Sequence, residues 1–385
     1  MSVNHDMLKN KIIAAVENAH GFLPFEQFMQ MALFEPKLGY YESRHVFGES
    51  GDFITGIDLG AWLGLGFADL IHWGWQQLGK PDAWVLLEQG GGSGHLLTQV
   101  LHHLKTLNTV MPHVIAVERS AWMRERQSEH YQQQGVDVTL YASLNDVDVD
   151  VPVLMMCNEL ADAFPVRPFV YRNGQCFERG VAYEHGKFIW QEAKDAIADD
   201  VLAIDADIQA KWCDGYISEC NPALTVWQKD VSRVIQQGFL CCVDYGYSQQ
   251  EYYRSNRIEG TLMGHCAHQV VEDVLTMDVG SCDITAHIDF THLARLGVKQ
   301  DLNPISFITQ GAWLAQSPSV QALIQSLAQE GTVEAMQSMA QAKRMLLPMG
   351  MGESFKLLIQ GKNITNCPDY LRPLDRKDDL HLQYR

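Results

Sequence analysis

The spacing of apolar positions changes period several times along the chain, and each change predicts a different element. Met7 to Ala19 carries apolar residues at helical intervals and is ended by Gly21. The stretch LPFEQFMQMALFEP sets Phe25, Phe28, Met29, Ala32 and Leu33 on one helical face, with Pro36 closing it. An aromatic and glycine-rich segment, GYYESRHVFGESGDFITG, follows as a loop region. Leu59 to Leu78 again predicts a helix, with Trp62, Leu70 and Trp73 toward its apolar side.

From there strand and helix patterns alternate. AWVLLE, HVIAVE, VDVTLY and VPVLMMC are short, nearly continuous apolar runs, separated by HLLTQVLHHLKTL and AWMRERQSEHYQQQG, which carry helical spacing. Strands apolar on both faces that alternate with helices predict a parallel sheet covered on both sides. The pattern breaks at PFVYRNGQCFERGVAYEHGKFIWQEA, where RNG and EHG separate strand-like runs and predict an antiparallel meander. Helical spacing returns from Pro222 to Gln237, GFLCCVDYG reads as a fifth core strand, Ile305 to Met345 as a helical region, and SFKLLIQG as a last strand.

One turn stands out. WVLLEQGGGSGHLLTQVL runs from a buried strand through a glycine-dense turn into a helix. Such a turn presents backbone N–H groups at a helix start and lets a ligand lie against the main chain. Glu118 ends the next strand, where an acid about 20 residues on binds ribose hydroxyls in doubly wound folds. The pattern Gly90-x-Gly92-x-Gly94 departs from the dinucleotide fingerprint, whose third glycine place holds His95 here. That argues against a dehydrogenase; the spacing resembles that of S-adenosylmethionine-dependent methyltransferases, and this resemblance implies S-adenosylmethionine as the nucleoside ligand, with a turn that merely packs helix on strand as the plainer alternative.

Composition narrows the partners. At 385 residues and 46% hydrophobic, the chain is long enough for about two or three domains. A formal charge of −18 disfavours nucleic acid and leaves basic proteins or cationic small molecules open. Nine scattered cysteines without a C-x-x-C pair read as reduced thiols with no metal ribbon. No third ligand is placed beside His265, His268 or His287, so no metal is expected. An N-terminus without a signal-like core, and no run of about 18 apolar residues, lead to an expected soluble, cytoplasmic protein with no membrane partner.

The chain also resembles a known family. FMQMALFEPKLGYY, GDFITG, LLEQGGGSG, AVERS, NELADAFPV, VDYG with GTLMGH, DITAHIDF and MGESF stand in the order of the motifs of the MidA family of class I methyltransferases. That family includes the mitochondrial complex I assembly-factor arginine methyltransferases. The resemblance implies an α/β, Rossmann-like class I methyltransferase sheet with an N-terminal helical segment and an inserted, partly antiparallel subdomain. It implies a capping segment at 1–80, a cofactor-binding core at 81–164 and 238–385, and an inserted meander and helix at 165–237 as an acceptor platform. The expected cofactor is S-adenosylmethionine, with Asp52, Thr55, Glu88, Gly90, Gly92, Gly94, Glu118 and Asn158 as its contacts. Departures from the family lie at Gly56-Ile57-Asp58, in the glycine turn at Gly91 and Ser93, and at Leu160-Ala161.

Methyl transfer is an in-line displacement at a sulfonium methyl, so the enzyme mainly aligns the acceptor and excludes water. A guanidinium acceptor must also shed a proton, since its pKa is above about 12. Carboxylates orient such a group by bidentate hydrogen bonds. Asn158, Glu159 and Asp162, at and after the fourth strand, are the candidates for that work. Their structural alternatives are an ion pair or cap for Glu159 and a turn for Asp162; Asp52 is either a turn residue or a cofactor contact. His287 and Asp289 either line the acceptor channel or sit as hydrogen-bonded groups at a strand edge. Three functions remain at this stage: a protein methyltransferase, possible at arginine; a small-molecule methyltransferase on the same fold; and a non-catalytic assembly protein that keeps it.

Overall fold

The computed structural model describes residues 2–42, 60–266 and 269–382, with the side chains of 2–4 left out. The chain forms two compact units. One comprises Met1–Phe53, Ala161–Val226 and Tyr247–His292; the other comprises Ile54–Leu160, Trp227–Gly246 and Leu293–Arg385.

The second unit is built on a sheet whose strands are numbered here in chain order: β1 Val85–Gln89, β2 His113–Val117, β3 Thr139–Tyr141, β4 Val153–Asn158, β5 Gly238–Tyr247, β6 Asn303–Thr309 and β7 Phe355–Lys362. Their spatial order is β3-β2-β1-β4-β5-β7-β6. The first five run parallel, and β7 is antiparallel to both β5 and β6. The order reverses between β1 and β4, where Glu88 pairs in register with Met156. Loops leaving the carboxyl ends of these two strands diverge there and open a crevice.

The sequence explains most of this. All six residues of β4 are buried, as expected of a strand covered on both faces. The helix His95–Thr106 buries Leu96, Leu97, Val100, Leu101 and Leu104, an apolar stripe at helical spacing. Each fully buried side chain of this kind stabilises by roughly 1.5–3 kcal/mol. The helix Ala121–Gln133 differs. Ser120 caps it by accepting the Met123 N–H, and its buried residues are Met123, Gln127 and Tyr131.

Two expectations need correction in this unit. Ile305 to Thr309 belongs to a strand, β6, and helices begin only at Gln310–Gln316, continuing through Pro318–Glu330 and Val333–Leu346. A short apolar run rich in Ile and Phe fits either structure, and pairing with β7 decides it. The third strand is also shorter than VDVTLY, since only Thr139–Tyr141 pairs with β2.

The first unit contains the antiparallel meander. Arg167–Arg172, Gln175–Glu184 and Lys187–Ala196 pair in succession. Asn173-Gly174 and His185-Gly186 make the turns, all four with positive φ, as two-residue hairpin turns require. Ile217–Cys220 adds to one side of the first strand, and Leu23–Pro24 pairs with Gly180 and Val181. The first helix, Ser2–Asn18, and the second, Phe25–Phe34, supply Leu8, Ile12, Phe25, Phe28 and Leu33 to this unit's core.

Cys266 and Cys282 are joined by a disulfide between the adjacent strands Met263–Cys266 and Asp283–Thr285, against the reading of all thiols as reduced. The two cysteines stand 16 positions apart, and only strand pairing brings them together. Among the described residues no helix is long and apolar enough to cross a membrane.

Candidate active site

The glycine turn leaves the carboxyl end of β1 as expected. Gly90, Gly92 and Gly94 have φ of 72°, 51° and 82°, a region that side chains other than glycine rarely adopt. Two contacts show why bulk is excluded. A Cβ at Gly91 would collide with Glu88 Oε2, and one at Gly94 would come within 2.7 Å of the Tyr131 ring. Gly92, by contrast, faces open space. Gly90 donates its N–H to Val117 O (3.0 Å), which ties the turn to β2.

Glu88 is buried at the end of β1, tucked against Gly91. Burial first, and then the neighbouring charge of Glu118, pushes its carboxyl up to about 8. The Tyr131 hydroxyl is also raised, by burial and then by Glu88 and Glu118. Glu118 follows β2. Its Oε1 accepts the Ser120 N–H (2.9 Å), and Arg124 Nη1 donates to its carbonyl (2.6 Å).

Across the crevice, Asn158 ends β4 and is buried. Its Nδ2 donates to Glu159 Oε1 (3.1 Å). Glu159 itself has φ 50°, and its N–H donates to Val243 O of β5 (3.0 Å). Leu160 then donates its N–H to Asp244 Oδ2 (3.2 Å) and packs on Gly90, where a Cβ would come within 2.7 Å of its Cδ1. Trp227 Nε1 donates to Gln89 Oε1 (2.9 Å) beside the glycine turn.

The structure therefore gathers Glu88, Gly90, Gly92, Gly94, Glu118, Asn158 and Glu159 at the carboxyl edge of one sheet. Asp162 lies in the first unit, in a turn at Ala161–Ala163, where its carbonyl accepts the Ala286 N–H (3.0 Å). Asp52, Thr55 and the segment Gly56-Ile57-Asp58 lie outside the described residues, as does His268. In the first unit Tyr41 donates to Asp283 Oδ2 (2.7 Å), and burial, then Asp283 and Asp162, raise the Tyr41 hydroxyl well above its ordinary value. His287 stacks on Tyr247 with ring centroids 5.3 Å apart. Asp289 accepts the His292 N–H (3.0 Å) at the start of the helix Phe290–Val298 and a bond from Gln249 Nε2 (2.9 Å). Among the described residues no group of three His, Cys, Asp or Glu side chains could hold a metal ion.

Three residues at the crevice escaped the sequence reading. Asp244, fully buried in β5, also accepts the Tyr245 N–H (2.8 Å); it stands in the VDYG motif, to which the sequence assigns no role. Gln127 donates through Nε2 to Gly92 O (2.9 Å), and Tyr131 fills the space under Gly94. Neither has a motif.

The polar inventory tests which ligand fits. Glu88 Oε2 and Asn158 Oδ1 are buried with no hydrogen-bond partner among the described residues. Buried acceptors without donors are costly and mark a place for a donor. A sulfonium nucleoside brings an ammonium, a positive sulfur and two ribose hydroxyls, so it suits this acceptor-rich rim. A pyrophosphate would meet the Glu118 carboxylate as a like charge.

The comparisons agree with that chemistry. Residues 68–308 match the model of the family described as "Putative S-adenosyl-L-methionine-dependent methyltransferase". The chain belongs to this methyltransferase family. It is an enzyme that uses S-adenosylmethionine as its cofactor. Among solved structures it is similar to a "likely methyl transferase" from Burkholderia thailandensis bound to S-adenosyl-homocysteine, at 25% identity and a TM-score of 0.86, over 98% of this chain and 97% of the other. Among curated relatives it is similar to the mitochondrial protein arginine methyltransferase NDUFAF7 of Bos taurus (26% identity, 88% of this chain and 80% of the relative). The Danio rerio protein of the same name matches at 25% identity, over 92% and 86% of the two chains.

Proposed function

We propose that this methyltransferase acts on a protein and methylates arginine. The observation that carries the reading is Glu159. A side chain other than glycine in the left-handed region costs about 1–3 kcal/mol and persists where the surroundings impose it. Here the Val243 carbonyl and the Asn158 amide hold Glu159 at the carboxyl end of β4, beside the switch point of the sheet. A carboxylate so held can accept hydrogen bonds from a guanidinium and orient one nitrogen. The relatives' name, protein arginine methyltransferase, supports the same acceptor.

Bound S-adenosylmethionine supplies a methyl already activated on sulfur. In this reading Glu88, Glu118 and Asn158 accept from its donors, and Gly90, Gly92 and Gly94 let it approach the main chain. The family resemblance adds Asp52 and Thr55 to its contacts. Glu159 orients the acceptor and takes the proton that its nitrogen loses as the methyl passes from sulfur.

The test is transfer of label from methyl-tritiated cofactor in a cell extract, followed by acid hydrolysis of the protein fraction. Methylarginine that disappears with Glu159→Gln, at unchanged cofactor affinity, is the expected result. Label confined to small molecules would overturn the protein acceptor. Cofactor binding without turnover on any acceptor would favour an assembly role instead.

A further inference from the structure

The helix Ala121–Gln133 is polar along most of its length, yet it buries a stripe at Met123, Gln127 and Tyr131. Two of those three carry polar atoms. Gln127 is wholly buried, and its Nε2 reaches Gly92 O at 2.9 Å. Its Oε1 and the Tyr131 hydroxyl have no hydrogen-bond partner among the described residues. Burying an unpaired polar atom costs roughly 1–3 kcal/mol, and an apolar residue in either place would avoid it. Core packing alone therefore does not account for this stripe.

We infer that Gln127 is a positioning residue for the cofactor, acting through Gly92. Its amide fixes the Gly92 carbonyl, and so the peptide plane that joins Gly92 to Ser93 and the direction of the Ser93 N–H. Gly92 has no neighbour within 4 Å on the side a Cβ would take, so its own surroundings do not hold it. The same helix starts at Ser120, whose N–H binds the Glu118 carboxylate, while Arg124 binds the Glu118 carbonyl. One rigid element thus sets both the acid placed for the ribose and the glycine turn. This inference rests on the reading that the turn is the cofactor's seat.

Two variants and a control test it by calorimetric titration with S-adenosylmethionine, beside thermal unfolding of the free protein. Gln127→Met keeps the length and removes the donor. It is expected to weaken binding about tenfold while the melting temperature holds or rises. Gln127→Glu supplies a donor only when protonated, and burial raises that carboxyl's pKa. Its dissociation constant, divided by that of the wild type at each pH to remove titrations common to both proteins, should fall toward one as the pH is lowered from 8 to 6. A side chain that merely fills space would give neither the loss nor the pH-dependent recovery. Gly92→Val is the control, because it places a branched side chain at positive φ in the open face of the turn. If Gly92→Val abolishes binding and both Gln127 variants bind as the wild type does at every pH, the positioning role is wrong. If Gly92→Val also binds normally, the turn is not the seat and the inference falls with that reading.

Discussion

The two helices beside the glycine turn are built on opposite principles. The buried residues of His95–Thr106 are five aliphatics, with only the Oε1 of the half-buried Gln99 as an unpartnered buried polar atom, whereas those of Ala121–Gln133 are one methionine, one glutamine and one tyrosine. The first has the composition of a stabilising element. The second carries polar atoms that the interior penalises, placed on the turn and against the acid at the end of β1. Where a helix buries polar groups at its core spacing, the reason lies in what those groups hold.

The contrast can be broken from either side. The largest effect is expected on the aliphatic side. Leu97→Ala, at a fully buried position, should cost about 2–5 kcal/mol of stability while the folded fraction binds cofactor with unchanged affinity. Denaturant melts paired with titration measure both, and a parallel loss of affinity in the folded fraction would erase the distinction.

Smaller per unit of pH is the effect at Glu88, whose carboxyl lies against Gly91 of the turn. Its carboxyl rises from an ordinary 4.5 to about 8 in the folded chain, chiefly through burial. The folded state therefore keeps a proton that the unfolded chain has already released. Stability is fully present below pH 4.5 and is lost as the pH rises toward 8, by at most about 1.4 kcal/mol per unit. Melting of the cofactor-free protein across that window should show the decline, and Glu88→Gln should flatten it. An unchanged slope in the variant would place the titrating group elsewhere.

The smallest effect is at Glu159. Replacing it with glycine relieves a φ of 50°, and the gain is expected at about 1 kcal/mol or less because the freer unfolded chain offsets part of it. Unfolding midpoints would register this. A destabilised Glu159→Gly protein would mean that the side chain, rather than the fold around it, keeps the backbone in place.

Much of this architecture could be read in advance, for identifiable reasons. β1, the glycine turn and the helix after it show because apolar runs, glycine density and helical spacing are local signals. The meander was legible because RNG and EHG are the residues its two hairpin turns require. The sequence failed where partners decide. Ile305 to Thr309 fits helix or strand until β7 lies beside it. Gln127 and Tyr131 look like surface residues of a polar helix until Gly92 and Gly94 lie beneath them. The left-handed backbone of Glu159 has no compositional signal, because such positions are foreseen mainly at glycine and asparagine. The pairing of Cys266 with Cys282 depends on strand register, which spacing alone does not supply.

The place of β7 bears on how the chain is made. Residues 355–362 are made after β5 and β6, strands begun at residues 238 and 303, yet they fill the gap between them. Until they leave the ribosome, one edge of β5, a strand whose first seven residues are buried in the finished fold, has no neighbour to satisfy its backbone. The nascent sheet therefore waits open through more than a hundred residues of translation. A message that ends between Tyr247 and Phe355 would release a chain with a complete cofactor turn and an uncapped, sticky edge.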